Sequence, residues 1–302
     1  MKTGVDSALS YGWSDPAKPE TYNMSFHPVS RPVGSWREEL NAAAIIIANT
    51  AQKRIKIAFS GGLESEVLCR TFFDQGIQFS ALTLAHRTNR KEVAYARQWC
   101  LYRGIPHEIV PFDAASFLTI DVDRYMAAGY VTGSVYRYLQ LRIMEIIELS
   151  NSFGVLGNGK LSFQPNRADS NDTCMSFGTS FAAPFEWMKM GSVRHQPYFF
   201  LSTPEVVLSF LRTPLVEAAL RTPHVFDNSS NNIALRRLVY QTFWPDIPSR
   251  PSLYGFERER LLKNAAEHRM LAYHNGKNKL VDMSVASAIA ILEGHSKHFL
   301  TD

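Results

Sequence analysis

Residues 57–65 read Ile57-Ala58-Phe59-Ser60-Gly61-Gly62-Leu63-Glu64-Ser65. An apolar, strand-like run from Ile55 to Phe59 enters Ser-Gly-Gly, and a helical pattern starts at once behind it. Glycine reaches backbone conformations closed to other residues and lets the main chain approach a ligand closely. The amides of a helix's first turn have no intrahelical partners, and the helix dipole adds positive potential at the same end. A strand, a Ser-Gly-Gly turn and a helix in succession therefore predict an anion site suited to phosphate. Ser60 and Ser65 add hydroxyl donors. Glu64 is out of place beside a bare phosphate; its carboxylate points to an accompanying cation, Mg2+ being the usual companion of a polyphosphate. The stretch is neither Gly-x-x-x-x-Gly-Lys-Ser/Thr nor Gly-x-Gly-x-x-Gly, which excludes the ordinary NTPase P-loop and the dinucleotide-binding turn.

Outward from this junction the chain alternates between the two periodicities. Glu64 to Gln75 reads as a helix with Val67, Leu68, Thr71 and Phe72 on one stripe and Gly76 as its stop. Phe79 to Leu84 is a second strand. Asn89 to Arg103 is a second helix, with Val93, Ala96 and Cys100 inward and Gly104 behind it. Glu108 to Phe112 is a third strand. Val135 to Ser150 is a long helix with Leu139, Ile143, Ile146 and Ile147 on one face. Phe153 to Leu156 is a fourth strand, entering Gly157-Asn158-Gly159. Upstream, Trp36 to Ala51 reads as a helix with Ser35 as N-cap and Glu38 closing a capping box. Its segment Ala42 to Ala48 is apolar on nearly all sides, and burial on both faces is expected. Strands and helices alternating through short connections predict an α/β fold: a doubly wound, mostly parallel twisted sheet.

The flanks read differently. Residues 1–34 are rich in Pro, Ser, Gly and aromatics without a clear period, and are expected as an irregular lead-in anchored by Trp13, Tyr22 and Phe26. Residues 161–200 read as long loops with a short helix. From Thr203 onward the signals are helical. Thr203-Pro204-Glu205 is a good start, followed by the stripe Val206, Val207, Phe210 and Leu211. Asn232 to Phe243 repeats the pattern with Leu235, Leu238, Val239 and Thr242. Arg258 to Met270 and Val285 to Leu292 follow, so the last third is expected as a helical C-terminal subdomain.

The gross composition bounds the function. The chain has 302 residues, 45% hydrophobic and 20% charged, enough apolar material for a sizeable core. The net charge of +4 comes from scattered Lys and Arg with no run of like charges, so no dedicated nucleic-acid-binding appendage is indicated. The three cysteines, Cys69, Cys100 and Cys174, lack the spacing of a zinc or redox motif and suit a reducing compartment. No signal-peptide core is visible, and the most apolar run falls far short of the roughly 20 residues that span a bilayer. A cytoplasmic protein without a membrane partner is the expectation.

Ser-Gly-Gly-x-Asp-Ser after a first strand marks the PP-loop ATP pyrophosphatases, and Ser60-Gly61-Gly62-Leu63-Glu64-Ser65 resembles it. That family includes asparagine synthetase, GMP synthetase, NAD synthetase, argininosuccinate synthetase and several tRNA-modifying enzymes, and the sulfonucleotide reductases share its fold. The resemblance, close over residues 53–76 and looser to residue 160, implies ATP cleaved between the α and β phosphates to activate an acceptor as its adenylate. It implies a nucleotide-binding set of Ala58, Phe59, Ser60, Gly61, Gly62, Leu63, Glu64 and Ser65. Ser60, Glu64 and Ser65 would take part in the chemistry, and Glu64, standing at the family's Asp position one methylene longer, would lie close to Mg2+. It places adenine at the end of the second strand, on backbone groups of Leu82, Thr83 and Leu84. The ribose and α-phosphate would lie near Gly157, Asn158 and Gly159, with Lys160 within reach of a phosphate. Pro245 to Phe256 loosely resembles an Arg-Pro-Lys-x-Gly-Phe segment of related proteins, with Arg250 as its candidate and Ser252 where Lys is usual. Arg142, Asp169, Asp172, Lys277 and Lys279 have solvated or packing readings at least as good as functional ones.

On this reading the chain divides into the lead-in 1–34, an ATP-binding α/β domain 35–160, and a loop-rich, helical subdomain 161–302. The partners expected are a small-molecule or nucleotide acceptor, with homodimer formation left open. Two further functions compete. A sulfonucleotide reductase needs a reactive cysteine near the C-terminal end, and Cys174 is the last cysteine. A non-catalytic nucleotide-binding module would keep the loop and lose turnover. A thiolating tRNA enzyme, a subset of the first reading, carries a catalytic cysteine pair or a cluster-binding cysteine set, and Cys69 and Cys100 resemble neither.

Overall fold

The computed structural model describes residues 8–13, 22–166, 172–248, 259–275, 277 and 280–295. Its centre is the predicted parallel sheet. Strands β3 (Arg54–Ala58), β4 (Ser80–Ala85), β5 (His107–Pro111) and β6 (Ser152–Leu156) lie in the order β5-β4-β3-β6, all parallel. β3 is therefore central, with β4 and β5 to one side and β6 to the other. That arrangement is a topological switch point: the chain runs outward from β3 through β4 to β5 and then crosses back to place β6 on the other side of β3.

The helices bury much of β3, β4 and β6, while β5 at the sheet edge is half-buried to exposed. Helix α1 (Trp36–Thr50) starts at the predicted cap: Ser35 accepts from the Glu38 amide, and the Glu38 carboxylate accepts from the Ser35 amide at 2.7 Å. Ile45 and Ile46 are nearly half exposed, so α1 is buried on one face and not on both. Helix α2 (Leu63–Asp74) is buried almost continuously from Ser65 to Phe72, as a helix in the middle of the fold must be. Helices α3 (Arg90–Tyr102) and α4 (Val135–Leu149) complete the layers. The buried face of α4 is Val135, Tyr138, Leu141, Met144 and Ile147, one step round from the predicted stripe. Of that stripe, Leu139, Ile143 and Ile146 are half-buried.

The flanks hold more sheet than their sequence signals. The lead-in forms an antiparallel hairpin of β1 (Leu9–Trp13) and β2 (Tyr22–Phe26). Phe26 is buried as predicted, whereas the side chains of Trp13 and Tyr22 lie outside the described residues. Beyond residue 160, β7 (Phe163–Pro165), β8 (Thr173–Gly178) and β9 (Leu280–Ser284) form an antiparallel sheet in that order. The expected helices surround it: α5 (Ala183–Gly191), α6 (Pro204–Leu211), α7 (Pro214–Leu220), α8 (Ser229–Phe243), α9 (Arg260–His274) and α10 (Val285–Leu292). Thr203 caps α6 by accepting from the Val206 amide.

One apolar cluster runs through both halves. Trp36 of α1 stacks on Tyr240 of α8 with ring centroids 5.3 Å apart and meets Phe210 of α6 edge-on at 5.4 Å. Such rings supply both area and geometric preference. They pack α8 and α6 against α1.

Candidate functional site

The site is built where β3 ends. Gly61 has φ +77°, and a Cβ there would stand 2.3 Å from the Glu92 carbonyl oxygen at the start of α3. Only glycine fits that turn. Gly62, extended at φ −81° and ψ 168°, is the N-cap of α2, and no side chain caps the helix. The amides of that first turn lack intrahelical partners and lie at the positive end of the dipole, where the Glu64 carboxylate bonds to its own amide. The Ser60 hydroxyl lies 3.0 Å from that of Ser65 and accepts from the Gly62 amide at 3.2 Å, while Ser65 donates to the Gly62 carbonyl. The two serines thus brace the turn from within.

The turn after β6 packs directly on this loop. A Cβ on Gly157 would come within 3.0 Å of the Ser65 Cα and 3.1 Å of the Glu64 carbonyl oxygen. Asn158 donates its amide to Leu156, and its carbonyl accepts from Phe200. Gly159 lies against Tyr198 and Leu201. Lys160 then folds back, its Nζ 3.1 Å from the Glu64 Oε1. The structure thereby brings together Ser60 to Ser65, Gly157 to Gly159 and Lys160.

The second cation on Glu64 comes from α8. Arg236 Nε lies 3.2 Å from the same Oε1, and its Nη1 donates to the Leu161 carbonyl. Arg236 is only 4% exposed. Burial pushes the Glu64 carboxyl up, but Lys160 and Arg236 outweigh it and hold its pKa below the ordinary value. Glu64 is thus kept ionised, with both cations on one oxygen.

Sequence reasoning did not single out Arg236. It assigned the α8 stripe to apolar residues, yet Leu238 is 54% exposed and Thr242 also faces outward. The buried face is Asn232, Leu235, Arg236, Val239 and Tyr240, spaced i, i+3, i+4, i+7 and i+8. An Asn and an Arg on that spacing are the signal that was available. Asn232 clamps both polar backbone groups of Phe163 in β7, accepting from its amide at 2.7 Å and donating to its carbonyl at 2.8 Å.

The remaining candidates fall elsewhere. Ala58 and Phe59 form the strand end under the loop, with Phe59 fully buried, and Leu63 is buried in the first turn of α2. The Leu82 carbonyl accepts from the Phe59 amide, and the Leu84 carbonyl accepts from the Asn89 side chain. The Thr83 hydroxyl donates to the Phe59 carbonyl and lies 2.8 Å from His107 Nε2. These three residues lace β4 to its neighbours. Arg142 pairs with Glu145 at 3.2 Å, in a network with Arg124 and Asp121. Asp172 accepts from Asn166 and from the Thr173 amide. Arg250, Ser252, Asp169 and Lys279 lie outside the described residues. Among the described residues, no cluster of three His, Cys, Asp or Glu could hold a metal by itself, and no helix is long and apolar enough to cross a membrane.

No family model matches the sequence. A curated relative, 7-cyano-7-deazaguanine synthase of Methanoregula boonei, is 29% identical over 121 residues, covering 37% of this chain and 56% of its own. It is a PP-loop protein, and the loop, its strand and its helix stand in this chain where the resemblance requires them. The chain is similar to the PP-loop ATP pyrophosphatase superfamily in this loop and the elements that flank it. It spans about half the length of this PP-loop relative. Solved structures with weak likeness include the NH3-dependent NAD synthetase of Campylobacter jejuni, at 13% identity, TM-score 0.34, and 72% of this chain against 100% of that one. The NMN synthetase of Francisella tularensis is similar at 14% identity and TM-score 0.33, over 78% of this chain and 96% of its own. At those scores the likenesses carry no argument; the PP-loop fold stands on the observed sheet and loop.

Proposed function

We propose that the chain is an ATP-dependent PP-loop enzyme that cleaves ATP between the α and β phosphates and adenylates an acceptor, releasing AMP and pyrophosphate. One observation carries this reading: the Ser60–Ser65 turn, the Gly157 turn and two cations from separate elements converge on a single edge of the sheet. The first-turn amides of α2 and the hydroxyls of Ser60 and Ser65 would hold the pyrophosphate part of the nucleotide. Lys160 and Arg236 would meet the charge that grows on the departing pyrophosphate, a preorganised electrostatic role. Gly157 would let the α-phosphate approach the backbone.

The carboxylate of Glu64 fits Mg2+ held mainly by the nucleotide's own phosphates, since such ions take one or two protein carboxylates and keep phosphate and water ligands. When bound, the ion would neutralise phosphate charge. Glu64 would exchange its contacts with Lys160 and Arg236 for that role, leaving both side chains to face anions.

The reductase alternative has no support in the thiols. Cys69, Cys100 and Cys174 are all buried and unpaired with one another. Burial raises all three, pushing Cys100 to about 12 and Cys174 to about 11, whereas a nucleophilic cysteine needs a lowered pKa and access.

The test is to incubate the protein with α-labelled ATP, Mg2+ and an extract of small molecules, and to identify the nucleotide product. AMP with pyrophosphate, lost in Ser60→Ala and Glu64→Ala, is the expected result. ADP with phosphate would overturn the assignment. ATP binding without turnover under every acceptor tried would favour the non-catalytic module.

A further inference from the structure

The groups that would take the nucleotide's phosphates are already engaged with one another. The Gly62 amide donates to the Ser60 hydroxyl, and the Ser65 hydroxyl donates to the Gly62 carbonyl. The Glu64 amide, in the first turn of α2, bonds to the carboxylate of its own side chain. Lys160 Nζ and Arg236 Nε lie 3.1 and 3.2 Å from Oε1 of that carboxylate. One side-chain anion thus meets the three kinds of donor that hold a phosphate: an amide at the positive end of a helix, a lysine and an arginine.

Arg236 fixes where the competition takes place. Its side chain is 5% exposed, and its Nη1 donates to the Leu161 carbonyl. A buried guanidinium left without an anion is costly, so Glu64 gives way only to another anion at the same spot. A free polyphosphate entering beside Glu64 sets like charges against each other, which costs affinity. A polyphosphate that carries a divalent cation brings Glu64 a partner of its own, and the exchange leaves no charge unpaired. The reach belongs to glutamate. An aspartate at this position would be about 1.5 Å shorter, and contacts of 3.1 and 3.2 Å would open beyond hydrogen-bond distance.

We infer that Glu64 is a specificity-determining residue, whose carboxylate stands in for a phosphate in the ligand-free chain and excludes any polyphosphate that arrives without a divalent cation. The inference rests on the reading of this loop as the nucleotide site, and adds to it the form of nucleotide that the loop takes. Glu64 leaves Lys160 and Arg236 for the cation that the phosphates carry, and both side chains then face the phosphates. Against a free polyphosphate the carboxylate keeps its place. The apparent affinity of the metal-free ligand is then its intrinsic affinity scaled by the fraction of chains whose two side chains are released. A carboxylate that holds them in about nine-tenths of the chains weakens such a ligand about tenfold.

The experiment measures binding and not turnover. α,β-Methylene-ATP, which cannot be cleaved between those phosphates, is titrated into the full chain by calorimetry, once with Mg2+ and once with EDTA. Wild type should bind it about thirtyfold more tightly with Mg2+. Glu64→Gln keeps an oxygen for Arg236 and loses the charge. In EDTA it should bind the analogue about tenfold more tightly than wild type does, and its preference for Mg2+ should shrink to about threefold. Glu64→Asp keeps the charge and loses the reach. In EDTA it should bind about threefold more tightly than wild type while still preferring Mg2+, which separates occupation of the site from a general charge effect. Inorganic pyrophosphate in EDTA should rank the three proteins in the same order. The inference is overturned if Glu64→Gln gains no affinity in EDTA, or, should that variant melt early, if Glu64→Asp binds as wild type does. In either case tight binding of the Mg2+ complex by wild type leaves the nucleotide reading standing. Binding of neither form by any of the three proteins overturns both. If the gains appear but no acceptor yields AMP, the inference stands and the adenylating reading fails.

Discussion

Residues 54–160 and residues 161–295 build one site by opposite means. The first stretch is a parallel sheet whose strands, turns and helices follow one another locally, and its functional loop is a contiguous run of residues. The second is an antiparallel sheet whose strand β9 pairs with β8 from more than 100 residues away, Leu280 facing Gly178. The charge it brings to Glu64 is Arg236, delivered by the packing of α8. A binding motif is legible wherever backbone geometry dictates residue type, and not where a side chain is carried in by tertiary packing.

The comparison can be broken most sharply at Gly61. Gly61→Ala should abolish nucleotide turnover and cost about 3 kcal/mol in chemical denaturation, because the new methyl meets backbone and not a mobile side chain. A wild-type midpoint would show that the turn is not dictated by its backbone. Next comes the pH profile of the buried His195, which takes the Gly154 amide on Nδ1. Burial pushes it down to about 4, against the opposing pull of Glu148. The unfolded chain then binds a proton that the folded chain refuses, so stability should fall as pH drops from about 6.5 toward about 4. That loss amounts to about 3 kcal/mol and should largely vanish in His195→Gln.

The two cations on Glu64 sharpen the contrast between regions. Arg236→Met removes a buried partner and should lower stability by about 2 kcal/mol, with turnover at least tenfold down. Lys160→Met, at a side chain 39% exposed, should cost roughly 0.5 kcal/mol while affecting turnover comparably. Equal stability losses would contradict the burial difference. The smallest effect belongs to Leu238→Ser, expected within about 0.5 kcal/mol of wild type because that leucine faces outward. A loss of 2 kcal/mol would restore the apolar-stripe reading of α8.

Much of the fold was legible for physical reasons. The order of strands and helices from Trp36 to Leu156, the Ser35–Glu38 capping box and the phosphate-type turn each depend on residues within one or two turns of each other. The lead-in hairpin and the β7–β9 sheet were not legible. Their strands are short, their alternation is weak, and β9 is specified by a partner in β8 and not by its own neighbours. Half of the α8 face was legible, Leu235 and Val239 being buried as expected; Leu238 and Thr242 face outward, and the polar Asn232 and Arg236 are buried in their place with their polar groups satisfied.

Asn232 has a consequence of its own. By taking both backbone polar groups of Phe163, its side chain does for β7 what another strand would do, and it does so one helical turn before Arg236. It thereby sets the rotational phase of α8 against the strand, as a tooth sets a gear. A helix free to turn by a single residue would swing Arg236 about 100° away from Glu64. The aim of the cation at the loop is thus calibrated by an amide that touches neither the loop nor Glu64's carboxylate.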